Sequence, residues 1–570
     1  MQWRIIDAIG PFFQPGADRR INWSKIPFAE LERDGALCAD TMRRVTEEYR
    51  RFVDQVAALG FNALTLDDLA HLIPVPEFDP GLTHRIAQYR DWYRELFEIA
   101  DAAGLKVLIT TDIMFYNEVL ERQFDGRLSR ITAFLASAFE QCFRDFPLVA
   151  GIITRIGESD GVDVKGDFHS ALTVRTPRQV RRLLQALLPV CERWQRTLIF
   201  RTWSVGAYPI GDLMWNRTTC ARTFDGIDSP ALIVSHKYGE SDFFRYLPLN
   251  KQFFRGRYRK LIELQSRREY EGFGEYPSFV GWDYESYARQ LRGRADFAGF
   301  SVWCQTGGWS SFRRRTFIDA DGVWNEINTI VAIDVFERGW SVEESITRLC
   351  RARWPHVSPD RLLAFLRLSD EVIKELLYID QFSQRKLFFR RVRVPPLLWV
   401  FWDHIIINHS IRKMLRCFVI DGEAKILQGR QALVKITEMR DMAEAWGFPA
   451  RDLEFQYDTF AILAASRAYF FRPFDKTIVR DLRQMTRRYR KKYASRYVIL
   501  LNVEPVRLSR RRIKRYLDLL LRDQRGYRFI DLVFTIRLLS WFYPVVRRFS
   551  RNRMPSFAEQ QAMGVDTLFR

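Results

Sequence analysis

Residues 231–242 read ALIVSHKYGESD, an apolar, β-rich run that closes on an acid, Asp242. The same shape recurs at residues 149–158, VAGIITRIGE, closing on Glu158, and at residues 260–269, KLIELQSRRE, closing on Glu269. Short runs of this kind predict strands, and strands that carry acids past their ends predict one rim of a barrel. Working outward, the strand-like runs are Trp3–Phe13, Asn62–Leu66, Lys106–Thr111, Val149–Thr154, Thr197–Thr202, Ala231–Ser235, Lys260–Gln265 and Gly299–Trp303. Helical patterns lie between them. ADTMRRVTEEYRRFVDQVAALG ends at the C-cap glycine Gly60, and RIAQYRDWYRELFEIADAAG ends the same way at Gly104. Thr176 and Pro177 supply an N-cap and a first helical residue for the segment that follows. Eight strands separated by helices over about 300 residues predict a (β/α)8 TIM barrel across residues 1–340. No GxGxxG follows the first strand, which argues against an open dinucleotide-binding sheet.

Beyond residue 340 the strand signal fades. Ser341 and Glu344 form a capping box at the head of SVEESITRLCRARW, and helical periodicity dominates afterwards. Residues 341–570 are therefore expected to be a basic, mainly α-helical C-terminal region, with one extended element near Tyr497–Leu501. Two apolar stretches, Val394–Ile407 and Phe529–Val546, are interrupted by charges and read as core helices rather than membrane spans.

The chain has 570 residues and a net charge of +20. A hydrophobic fraction of 47% excludes extensive disorder. The positive excess favours an anionic partner. Seven cysteines, at 38, 142, 191, 220, 304, 350 and 417, include no CxxC pair and suit reduced thiols. With no ordinary signal peptide in MQWRIIDAIGPFF, a cytoplasmic location is expected, and the sequons at Asn22, Asn216 and Asn408 carry no weight.

Acids collected at a barrel rim can protonate a leaving group and activate a water, the minimum needed to cleave a glycosidic bond. A third carboxylate can orient the water and raise its partner's pKa by like-charge repulsion. An acid after a strand is, in isolation, more often a solvated residue or an N-cap.

Several motifs add to that chemistry. FNALTLDDLAHL, LKVLITTD, LIFRTW, SHKYGESDFF, ELQSRREY and GWSVEES occur in this order over roughly residues 45–355. The set resembles the catalytic barrel of the xylan α-glucuronidase family of glycoside hydrolases. The resemblance implies that Glu158 is the general acid and that Asp242 and Glu269 hold the nucleophilic water, either one being the base. It implies that Lys237 and Arg201 contact a uronic carboxylate, where arginine supplies paired hydrogen bonds and lysine a point charge. It places Trp309 at the sugar site. The pattern also departs from the family. Thr154 replaces a lysine, with Arg155 beside it as a substitute. SDGVDVKGD replaces a Gly/Pro-rich stretch after the acid. Asp67 and Asp68 stand where the family has amides, so Asp68 joins the candidate binding residues.

The expectation is thus an inverting, exo-acting glycosidase without metal or cofactor, releasing an α-linked uronic acid from an oligo- or polysaccharide. The alternative is a non-hydrolytic, carbohydrate-binding barrel tied to polysaccharide biosynthesis or export at a membrane. His236 lies within reach of the expected pocket through its neighbour Lys237, whereas His404 and His409 read as structural. The basic runs RRYRKKYASR and RLSRRRIKR read first as solvated helix faces and suit peripheral contact with an anionic membrane. No nucleic-acid module accompanies them. Homo-oligomerisation is left open.

Overall fold

The computed structural model describes residues 1–8, 11–12, 24–33, 35–156, 167–204, 208–305, 322–389, 391–494, 496–505, 509–523 and 529. Glu158 and Trp309 lie outside the described residues, as does all but the first residue of the Phe529–Val546 run.

Eight parallel strands close into a barrel: β1 (Trp3–Ala8), β2 (Ala63–Asp67), β3 (Lys106–Asp112), β4 (Val149–Arg155), β5 (Thr197–Arg201), β6 (Leu232–Lys237), β7 (Arg259–Gln265) and β8 (Phe297–Gln305). Each expected run supplies one strand. Neighbours in the barrel are neighbours in sequence, and β8 closes against β1 with Gly299 opposite Trp3. That seam needs glycine: the residue has a φ of 149°, and a Cβ would overlap the Trp3 carbonyl oxygen. The three inter-strand helices named from sequence are present, whereas only the short 3-10 turn Lys251–Phe254 lies between β6 and β7. Ala39–Leu59 ends on Gly60 in the left-handed region, and Thr176 accepts from the Gln179 amide ahead of Pro177–Arg193. Two of the sequon asparagines, Asn216 and Asn408, are N-caps of the helices that follow them.

The barrel interior is layered. Its floor is apolar, from Trp3, Ile5, Ala63, Leu108, Ile153, Ile199, Ile233, Leu261 and Ala298. One turn of the alternation higher, the inward residues are charged. Asp7 pairs with Arg201 at 2.5 Å and with Lys25 at 3.0 Å, while Arg201 also reaches Glu263 at 3.6 Å. Thr65 donates to Asp7 and Ser235 to Glu263. Burial of a charge is tolerated here because every member has an opposite partner.

The C-terminal region packs helices Pro359–Val372, His409–Phe418, Gly422–Ala445, Ala450–Phe471 and Lys476–Lys492 around a small sheet. The sheet contains Val400–Phe401, His404–Asn408 and Val498–Asn502, the last near the extended element expected from sequence. The Ser341–Glu344 capping box is present. One expectation fails: Val394–Ile407 is not a helix. Pro395 and Pro396 interrupt its start, and HIIIN pairs in parallel with residues 498–502. Consecutive β-branched side chains fit that pleat better than a helical turn. No described helix is long and apolar enough to cross a membrane.

The region is joined to the barrel through buried polar contacts. Arg245, on the loop after β6, binds Glu271, Asp283 and Asp370. Tyr378 donates to Glu271 at 2.9 Å, and Trp324 donates to Asp452 at 3.0 Å.

Candidate active site

The loops after β6 and β7 bring Asp242 and Glu269 together. β6 ends on Lys237, whose side chain points inward. The loop that follows turns back so that the Lys237 ammonium meets Asp242 Oδ1 at 2.5 Å. Asp242 accepts two further hydrogen bonds, from the Phe243 amide at 2.9 Å and from the Tyr270 hydroxyl at 2.8 Å. β7 ends on Gln265, which brackets its own loop. The Gln265 side-chain oxygen Oε1 accepts from the Glu269 backbone amide at 2.7 Å, and its side-chain nitrogen donates to Glu269 Oε2 at 3.1 Å. The other oxygen, Oε1, accepts from the Trp402 indole at 2.7 Å.

In the motif RREYE the acids divide their duties. Arg268, with a φ of 59°, turns inward and binds Glu271 through two nitrogens and the Phe243 carbonyl through a third contact. Arg245 and Arg268 flank Glu271; burial alone would raise its carboxyl, but the two guanidinium groups hold it near 2. Glu271 is therefore an ionic rivet between the two loops, and Glu269 is the acid left facing Asp242.

Glu269 behaves in the opposite way. It is almost fully buried, and burial is the largest influence pushing its carboxyl up to about 8, followed by the negative charge of Asp242. Lys237, Trp402 and Gln265 oppose this without cancelling it. A buried carboxyl with a raised pKa beside an ion-paired aspartate gives two acids with separate proton affinities, the arrangement from which acid–base chemistry is built.

Aromatic rings frame the pair. Lys237 lies 4.8 Å from the ring centre of the half-buried Trp203 and 4.6 Å from that of Phe243. Tyr270 stacks on Phe244 at 4.3 Å and on Trp402 at 6.1 Å. Phe243, Phe244, Tyr270 and Trp402 are buried, and of these rings the half-buried Trp203 is the one placed to meet the apolar face of a sugar.

The other expected residues are placed elsewhere around the barrel. Arg201 is held beneath the pair by Asp7 and Glu263, with its guanidinium 4.4 Å from the Trp303 ring centre. Arg155 ends β4 and pairs with Asp112 at 2.7 Å, to which Ser170 also donates. Asp68 turns to His71 at 2.6 Å, while its neighbour Asp67 faces Lys25. His236 does not reach the pocket. Strand alternation sends it outward from Lys237, where it meets Thr202 and Phe253, and burial with nearby Lys260 depresses it to about 3. Tyr270, Gln265, Trp203 and Trp402 were not singled out from sequence. The first two sit inside ELQSRREY and were within reach of a closer reading; Trp402 lies 133 residues from Glu269. Among the described residues no group of three or more His, Cys, Asp or Glu could hold a metal ion.

No family model matches the chain, and no curated protein matches it in sequence. Among solved structures it is similar to a GH138 enzyme targeting pectin rhamnogalacturonan II, with a TM-score of 0.53 and 10% identity over 87% of this chain. The chain has a glycoside hydrolase-like fold. It spans 63% of that enzyme's length, and at this identity the likeness is one of fold. A Thermobaculum terrenum O-GlcNAc hydrolase mutant aligns with 78% of this chain and 86% of its own, at a TM-score of 0.34 and 8% identity, and adds nothing to that conclusion.

Proposed function

We propose that this protein is a glycoside hydrolase, exo-acting and inverting, that releases an α-linked uronic acid from an oligo- or polysaccharide. One observation carries the reading: Asp242 and Glu269 meet in a buried, aromatic-walled corner at the C-terminal rim of the barrel, one ion-paired and the other pushed up to about 8. In this reading the pair positions and deprotonates the attacking water, and Glu158 protonates the leaving oxygen, the role its resemblance assigns. Lys237 supports the preference for an acidic sugar. Its ammonium sits at the mouth of β6 against Asp242 and Trp203, where an incoming uronate would share it. Arg201 lies below as part of the charged layer and contributes positive potential from beneath.

The test is hydrolysis of a panel of α- and β-linked aryl uronosides and neutral glycosides by the full chain, with E269Q as the control. The expected result is release from an α-uronoside with inversion at the anomeric carbon, lost in E269Q. K237A should weaken uronosides much more than neutral glycosides; equal losses on both would remove Lys237 from substrate selection. Silence across the panel, with uronic acids still bound, would point to a carbohydrate-binding barrel instead.

A further inference from the structure

The hairpin that carries Trp402 has the wrong residues for its turn. Val400–Phe401 and His404–Asn408 pair as antiparallel strands with Phe401 opposite His404, so only Trp402 and Asp403 form the tip. Two-residue tips of this kind favour Asn-Gly or Asp-Gly, because their central residues need positive φ. Here a tryptophan holds a φ of 50°. Bulky residues in that region are uncommon and strained, and such strain concentrates at functional sites.

The indole of Trp402 is buried and does two things. It donates to Glu269 Oε1 at 2.7 Å, and it stacks on Tyr270 at 6.1 Å and 28°. Tyr270 in turn donates to Asp242. Two stacked rings, one from the barrel and one from the C-terminal sheet, therefore give one donor to each carboxylate of the pair. The remaining partner of the Glu269 carboxylate is Gln265, on the opposite oxygen. Asp242, Lys237 and the Tyr270 phenol are the titratable groups beside Glu269 from the barrel loops. On the hairpin side Asp403 is turned to His404 at 2.5 Å.

We propose that Trp402 is the positioning residue of Glu269, so that the C-terminal region is an integral wall of the active site and holds this carboxylate in its working orientation and charge state. The proposal rests on the reading of Asp242 and Glu269 as the reacting pair. Rotation of the carboxylate is prevented by donors on both oxygens, and the Trp402 donor favours its ionised form against burial and the charge of Asp242.

Trp402→Phe keeps the ring and removes the N–H. In the full chain, the limb of the kcat/KM pH profile that reports Glu269 should move to higher pH, with roughly a tenfold change in its ionisation constant, the scale of one lost hydrogen bond to a charged group. W402A should add a loss in kcat with little change in KM.

A second readout needs no activity. A carboxyl whose folded pKa is raised contributes full stability below its unfolded value and loses it as pH rises towards the folded value. Thermal unfolding from pH 4 to 9 should therefore show E269Q gaining on wild type as pH rises, and W402F should widen that gap. An unmoved pH limb overturns the proposal, as does an equal effect of W402F on melting with and without E269Q. If no glycoside is cleaved but the melting cycle behaves as stated, the positioning role stands and the hydrolase reading falls.

Discussion

Two charged clusters lie close together in this barrel and differ in character. Beneath the rim, Asp7, Asp67 and Glu263 with Lys25 and Arg201 form a set in which cations and acids answer one another. Burial alone would raise Asp7, but Lys25 and then Arg201 overcome it and hold the carboxyl near 2. At the rim, Asp242 and Glu269 share one nearby lysine, and Glu269 is pushed up to about 8. The same residue types occur in both places. What separates the scaffold from the proposed reactive site is the ratio of acids to cations around each carboxylate, together with which oxygens already have donors.

The largest expected effect tests the rim. E269Q and D242N should each lower kcat/KM by roughly 10²–10⁴-fold while leaving a cooperative melting transition. Steady-state kinetics beside thermal unfolding checks both halves. Activity retained within tenfold in either variant would break the division between the clusters. The charged layer should respond in the other way. D7N leaves Lys25 and Arg201 facing one charge fewer and should cost on the order of 3–5 kcal/mol in stability. Because the folded pKa of Asp7 is depressed, its contribution is present above about pH 4 and is lost as pH falls towards 2. Denaturant unfolding should show the gap between wild type and D7N narrowing over that interval. A gap that does not change with pH would mean that shape, not charge, holds the charged layer together.

Much of the fold was legible in the sequence, for local reasons. All eight strands were visible because each is a short β-rich run, and several are set off by helices whose ends are marked, as at Gly60 and Thr176. Asp242, Glu269 and Lys237 were visible because each lies within five residues of the end of a strand. Partnerships across the barrel were not. Nothing near Arg201 announces Asp7, 194 residues away, so an arginine bound into the charged layer reads like one waiting for a substrate. Trp402 was hidden by a specific misreading. With Val394–Ile407 taken as a core helix, the hairpin tip that aims Trp402 at Glu269 had no place. Charge interruption ruled out a membrane span there, but hydrophobicity alone does not separate a buried strand pair from a buried helix.

The finest comparison exchanges one hydroxyl in each cluster. Thr65 donates to Asp7 at 2.9 Å, and Tyr270 donates to Asp242 at 2.8 Å. The bonds are alike in length and in acceptor, so a purely structural account predicts like consequences for T65V and Y270F. The division argued above predicts a crossing instead. T65V should cost about 1 kcal/mol in stability and leave kcat/KM within about twofold, because Asp7 keeps Lys25 and Arg201 and touches no substrate. Y270F should cost a similar or smaller amount of stability but lower kcat roughly tenfold, since in the proposed reaction Asp242 would orient the water with one donor fewer. Paired melting curves and kinetics on the best panel substrate check it. Parallel behaviour in the two variants would mean that the charged layer and the rim act as one electrostatic unit, with Arg201 linking them, and the boundary between scaffold and site would have to be redrawn one layer deeper in the barrel.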